Sequence, residues 1–150
     1  MYVACEFIEI SHRNLETPVA VIRDKISDRE IRVGVSIADA SRISLYSFGI
    51  GKELQKELSQ QIISASGCGV ESIKFNPRAE TALTVELTIK SDKKSFCVTP
   101  TPGEAVISSL ENDIDILVHE DLFTPLQSEP SLSEYIRSKN VDSFGTVTIG

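Results

Sequence analysis

The sequence predicts an α+β domain in which a mixed sheet carries three or four helices, built from two related hairpin-plus-helix units. Three observations lead there. Residues 31–37 and 83–89 alternate strictly, so that Ile31, Val33, Val35 and Ile37 share one face of a strand and Leu83, Val85, Leu87 and Ile89 share one face of another. Residues 52–66 have helical periodicity instead: Leu54, Leu58, Ile62 and Ile63 fall on one side, and Lys52, Glu53, Lys56, Glu57 and Gln60 fall elsewhere. Between Lys94 and Phe123 the chain reads strand, helix, strand, with both helix start and second strand clearly marked.

Taken in order, residues 2–10 open with Val3, Cys5 and Phe7 in alternation, the pattern of a first strand. Residues 18–23 are apolar and β-branched, and residues 24–28 form a charged turn into the strand 29–37, so the two strands are expected to make a hairpin. Residues 38–48 follow as a helix with Asp39 in its first turn, interrupted by Gly49 and Gly51. After the amphipathic helix 52–66, Gly67-Cys68-Gly69 is a stop signal. A strand at 70–75, a turn around Pro77 and a strand at 81–90 come next, and Ser91-Asp92-Lys93-Lys94 is a hairpin turn into a strand at 95–99. Thr101 can accept from the first free amides of a helix, Pro102 suits its first turn, and Glu104 is favoured there by the helix dipole. A short helix at 105–110 and an apolar strand at 114–118 complete the unit. The reading divides the chain into a domain at 1–123 and a tail at 124–150, in which Ser131-Leu132-Ser133-Glu134 can cap a short helix through Ser138, with 141–150 loosely held.

The two halves echo each other. The strand ending at Ile37 leads to Ala38-Asp39-Ala40, and the strand ending at Thr99 leads to Gly103-Glu104-Ala105. A twofold relation between the units would put Asp39 and Glu104 in equivalent positions.

Composition narrows the function classes. A chain of 150 residues with 41% hydrophobic content can bury one core of ordinary size. No apolar run is long enough to cross a membrane and the first residues lack a secretory pattern, so a soluble, cytoplasmic protein with no membrane partner is expected. Cys5, Cys68 and Cys97 are odd in number and form no CxxC pair, which supports neither a disulfide framework nor a zinc site. Cys5 and Cys97 lie in strand patterns and are expected in the core; Cys68, between glycines, is expected to be more accessible. A net charge of −7 opposes non-specific attraction to nucleic acid, which would need a local basic patch or bound metal ions.

The order of elements, the strand entering Ser36-Ile37-Ala38-Asp39-Ala40, the helix from Leu54, and above all Thr101-Pro102-Gly103-Glu104-Ala105-Val106-Ile107 followed by Asp115-Ile116-Leu117-Val118-His119-Glu120-Asp121-Leu122 resemble the bifunctional nuclease domain family. The resemblance covers residues 2–123. It implies an α+β fold, a small homo-oligomer, and metal-dependent cleavage of RNA or DNA with Mg2+ or Mn2+. The family's Arg-Pro-Ser-Asp-Ala motif falls on Thr101 to Ala105, its strand-end glutamate on Asp39, and its Leu-Thr-His-Asp-Leu motif on Leu54 to Leu58; proline, alanine and the acids persist, and the arginine, tryptophan and histidine are replaced. The implied metal ligands are therefore Asp39, Glu57 and Glu104, with Lys56 or Arg42 supplying positive charge to a reacting phosphate. His119 beside Glu120 and Asp121 is a further candidate ligand or base, or a polar strand end. The alternative is a non-catalytic homo-oligomeric binding module of the same fold, in which Asp39 and Glu104 serve their helix dipoles and Glu57 is a solvated side chain.

Overall fold

A computed structural model describes residues 1–12, 17–50, 56–78 and 83–123. The fold is α+β. Its elements are β1 (Tyr2–Ser11), β2 (Val19–Asp24), β3 (Glu30–Gly34), α1 (Ile37–Ser47), α2 (Leu58–Ala65), β4 (Gly69–Pro77), β5 (Leu83–Lys90), β6 (Ser95–Val98), α3 (Pro102–Asn112) and β7 (Ile116–His119). These belong to a compact unit, Met1–His119. In the second unit, Glu120–Gly150, the described residues form a 3-10 turn at Glu120–Leu122 closed by the Phe123 amide on the Glu120 carbonyl. The expected tail helix and the loose end at 141–150 lie outside the described residues.

The seven strands make one mixed sheet in the order β3-β2-β1-β7-β4-β5-β6. β1-β2-β3 and β4-β5-β6 are both antiparallel meanders, and each passes from its edge strand into a helix. β7 joins them, antiparallel to β1 and parallel to β4. The sheet order reads alike from either edge towards β7, which is the topology of two related units. α2 is the addition between them.

Period-two alternation sets the core. Cys5, Ile116, Ile73, Leu87 and Val98 follow one another as cross-strand partners from β1 to β6, and Val3, Val118, Phe75 and Val85 form the next row. Ile73, Phe75, Ile116 and Val118 have no exposed surface. Burial also pushes the Cys5 thiol up to about 12, keeping it protonated and inert. β6 is an edge strand, so Cys97 is exposed rather than in the core, against the expectation from alternation alone.

Helix ends follow local chemistry. Ser36 caps α1 by accepting from the Asp39 amide, and Thr101 caps α3 in a reciprocal capping box with Glu104. Because Ser36 turns the chain into α1, Ile37 leaves the face of Ile31, Val33 and Val35 and is 73% exposed. α1 and α2 both close on a glycine with positive φ, Gly49 and Gly67, whose following amides reach back to Leu45 and Ile63. α3 runs longer than its sequence signals suggest, to Asn112, and ends on Asp113 in the left-handed region. α2 also departs from expectation. Leu58 and Ile62 face outward while Gln60 is buried, its amide oxygen accepting from Asn112 and its nitrogen donating to Ser64. Leu54 lies outside the described residues.

α3 contacts β3, β4 and β5 and packs against α1. It buries Gly103, Ala105, Val106, Ile107, Ser108 and Ser109, so small residues occupy much of its buried surface. At Gly103 the fit is close: a Cβ built there would lie 2.8 Å from Asp39 Cβ and 2.9 Å from its Cγ.

Gly103→Ala is therefore expected to lower stability by about 1–3 kcal/mol, the usual cost of overpacking. A second change, Asp39→Ala, should recover part of the loss because it removes the carboxylate but leaves its Cβ. Urea unfolding of the two single variants and the double variant measures both.

The β2–β3 turn has its own anchor. Asp24, almost fully buried, accepts from the Ile26 amide at 2.9 Å, from Ser27 Oγ at 2.9 Å and from Arg29 Nη2 at 3.0 Å. The Ile26 amide above all, with Arg29 and Ser27 in support, holds its carboxyl below the usual range. A lowered folded-state value means that the stabilisation is present above the ordinary carboxylate pKa of about 4 and is lost as pH falls through the folded value. The pH profile of unfolding should show this acid loss, and Asp24→Asn should flatten it.

Candidate functional site

One cleft of about 230 Å³ lies where α1, α2 and α3 meet the β5–β6 end of the sheet. Its apolar part is lined by Ile63, Leu87, Ile89, Val98, Pro100 and Ile107, and its polar part by Asp39, Glu57, Glu104 and Glu111 with Gln60, Ser59 and Ser108. Three of the acids expected from sequence thus line the same cleft from three elements: Asp39 in the first turn of α1, Glu104 in the first turn of α3, and Glu57 at the cap position of α2. Asp39 and Glu104 stand at corresponding places, each three residues after the capping hydroxyl.

Their surroundings decide what these carboxylates can do. Glu104 Oε1 accepts from the Thr101 amide at 2.9 Å. Glu57 Oε2 is 2.6 Å from Arg42 Nε. Asp39 lies against Gly103. Lys56 is exposed and is not among the residues lining the cleft; its carbonyl accepts from Gln61 Nε2 at 2.8 Å. Arg42 does not line the cleft either, but it pairs with two acids that do, Glu57 and Glu111.

Glu111, which the sequence reading missed, organises this corner. Its side chain is 2% exposed, and its Oε2 accepts from Tyr46 OH at 3.0 Å and from the Glu57 amide at 3.0 Å, with Arg42 Nη2 at 3.8 Å. Arg42 also sits over the Tyr46 ring, 5.8 Å from its centroid. A signal was present in the sequence: an acid in the last turn of a helix works against the dipole, so another contact must hold it there.

The fit to a divalent ion follows from these engagements. Hard cations need several converging oxygens free to turn towards them. Here one Glu104 oxygen serves the helix cap, Glu57 is paired with arginine, and Glu111 Oε2 accepts from two donors with Arg42 close by. Among the described residues, no three Asp, Glu, His or Cys side chains are grouped so as to hold a metal ion. The described side chains as arranged do not fit the metal that the resemblance implies. His119 is elsewhere, with its ring edge-on to Tyr2 at 5.4 Å.

No protein-family model matches the chain, and no curated protein matches it.

Burial chiefly, and then the hydrogen bond to Glu111 with its negative charge, raise the Tyr46 phenol above its ordinary value; Arg42 opposes the shift. A raised phenol stabilises the fold below the ordinary pKa of about 10, and that contribution disappears as pH climbs through the folded-state value. An ultraviolet titration should therefore show a tyrosine that ionises late, absent in Tyr46→Phe and shifted towards the ordinary value in Glu111→Gln.

Proposed function

We propose that this chain is a non-catalytic, homo-oligomeric binding module of the bifunctional nuclease type, with its acids serving the fold rather than a metal. The observation that carries this reading is the engagement of the acids by their own chain: Arg42 on Glu57, and the Thr101 amide on Glu104. Phosphodiester cleavage by metal ions needs those oxygens on the cation and positive charge left over for phosphate. Beside this cleft the arginine is already shared between Glu57 and Glu111. The net charge of −7 adds a barrier to a polyanionic substrate.

A second reading is a metal-dependent nuclease acting on RNA or DNA. Its support is the convergence of Asp39, Glu57 and Glu104 on one cleft from three elements distant in sequence. Under this reading, substrate and ion would have to draw Glu57 away from Arg42.

Incubation of highly purified protein with labelled single-stranded RNA and DNA, with Mg2+ or Mn2+, separates the two. The binding-module reading expects no cleavage above that of an Asp39→Ala, Glu104→Ala double variant. Metal-dependent cutting by the parent protein that the double variant loses would overturn it and establish the nuclease.

A further inference from the structure

The two edges of the sheet are defended differently. β3 carries Glu30 and Arg32, paired with each other at 2.9 Å, and Glu30 also pairs with Arg23 on β2. Such charges discourage an edge strand from pairing with another chain. β6 has none: Ser95, Phe96, Cys97 and Val98 are uncharged and all exposed. Phe96 and Val98 remain 48% and 44% exposed although both lie beside apolar partners, Ile89 and Leu87. They share the sheet face that carries the cleft, which Val98 and Pro100 line.

Charge near this edge is complementary to itself. Lys93 and Lys94 precede β6 and have no ion pair among the described residues, and beyond its other end Asp39 and Glu104 have no cation partner there either. Two copies of a chain with net charge −7 repel, and a contact that brings cations to acids offsets that repulsion. An antiparallel pairing of β6 with itself places the lysine end of each strand at the acidic end of the other.

We infer that β6 is a self-pairing edge: two copies join β6 to β6 antiparallel about a twofold axis at Cys97, and each lends Lys94 to the mouth of the other's Asp39–Glu104 cleft. In this register Phe96 stands opposite the partner's Val98, an aromatic and β-branched pair of the kind that stabilises antiparallel strands. Lys94 stands opposite the partner's Pro100, which lines the cleft together with Glu104 and Asp39. Alternation puts Lys94 on the face of Phe96 and Val98, and so on the side where the carboxylates are. The cleft is then completed by a cation from a second copy of the chain. The inference rests on the homo-oligomeric reading, and it names the surface and the residues. A four-residue strand buries little area, so the association is weak and concentration-dependent.

The test uses the full chain carrying Cys68→Ser, so that Cys97 is the exposed thiol among the described residues. Light scattering after gel filtration, up to several hundred micromolar, should show a monomer–dimer equilibrium. A short bis-maleimide should link the dimer, and Cys97→Ser should abolish the link. Phe96→Lys and Lys94→Glu, each with unchanged circular dichroism, should raise the dimer dissociation constant at least tenfold. A monomer at every concentration would overturn both this inference and the oligomeric reading. A dimer that does not link through Cys97, or that is indifferent to both substitutions, would overturn the inference alone.

Discussion

Helix α3 can lie where it does because Gly103 has no side chain. The carboxyl group of Asp39, at the start of α1, lies against that glycine, and a single methyl group there would meet the aspartate's own Cβ and Cγ. The two helices thereby bring their first turns together, each capped by a hydroxyl residue and each carrying an acid three positions on. From this meeting point α3 passes over β5 and β4 and delivers the chain to β7, the strand that joins the two meanders into one sheet. The approach at Gly103 thus links the pairing of the helices to the closure of the sheet.

The same arrangement creates the cleft. Because α1 and α3 start side by side, Asp39 and Glu104 line one opening, and α2 adds Glu57 at its own cap position. Carboxylates gathered in this way must be stabilised. One solution is a metal ion; the other is a set of partners from the chain itself, and this chain supplies Arg42 as an ion-pair partner and the Tyr46 hydroxyl and Thr101 amide as hydrogen-bond donors. Buried Glu111 ties the group together, because its Oε2 receives the Tyr46 hydroxyl and fixes the start of α2 through the Glu57 amide.

Much of this was legible in the sequence, where local chemistry and global packing agree. Strict alternation marked β3 and β5, and Thr101-Pro102-Gly103-Glu104 marked the start of α3 by the mechanism that caps it. What escaped depended on contacts between distant residues. Leu58 and Ile62 read as the buried face of α2, yet Gln60 is buried instead because Asn112, 52 residues away, binds its amide. Cys97 read as core, since alternation cannot tell an edge strand from a central one. Gly103 read as part of a helix start, and its reason for being glycine is Asp39. Arg42 and Glu111 are ordinary helical residues in sequence, and only their convergence gives them a role.

The central claim is that Glu57, Glu104 and Glu111 at the cleft are held by their own chain and not by a metal. Isothermal titration of Mn2+ into the protein, beside an Asp39→Ala variant, tests it most directly. The account predicts no saturable binding to the parent protein. Saturable binding to the parent protein that Asp39→Ala abolishes would contradict it, showing that these oxygens turn to a cation despite the arginine beside them.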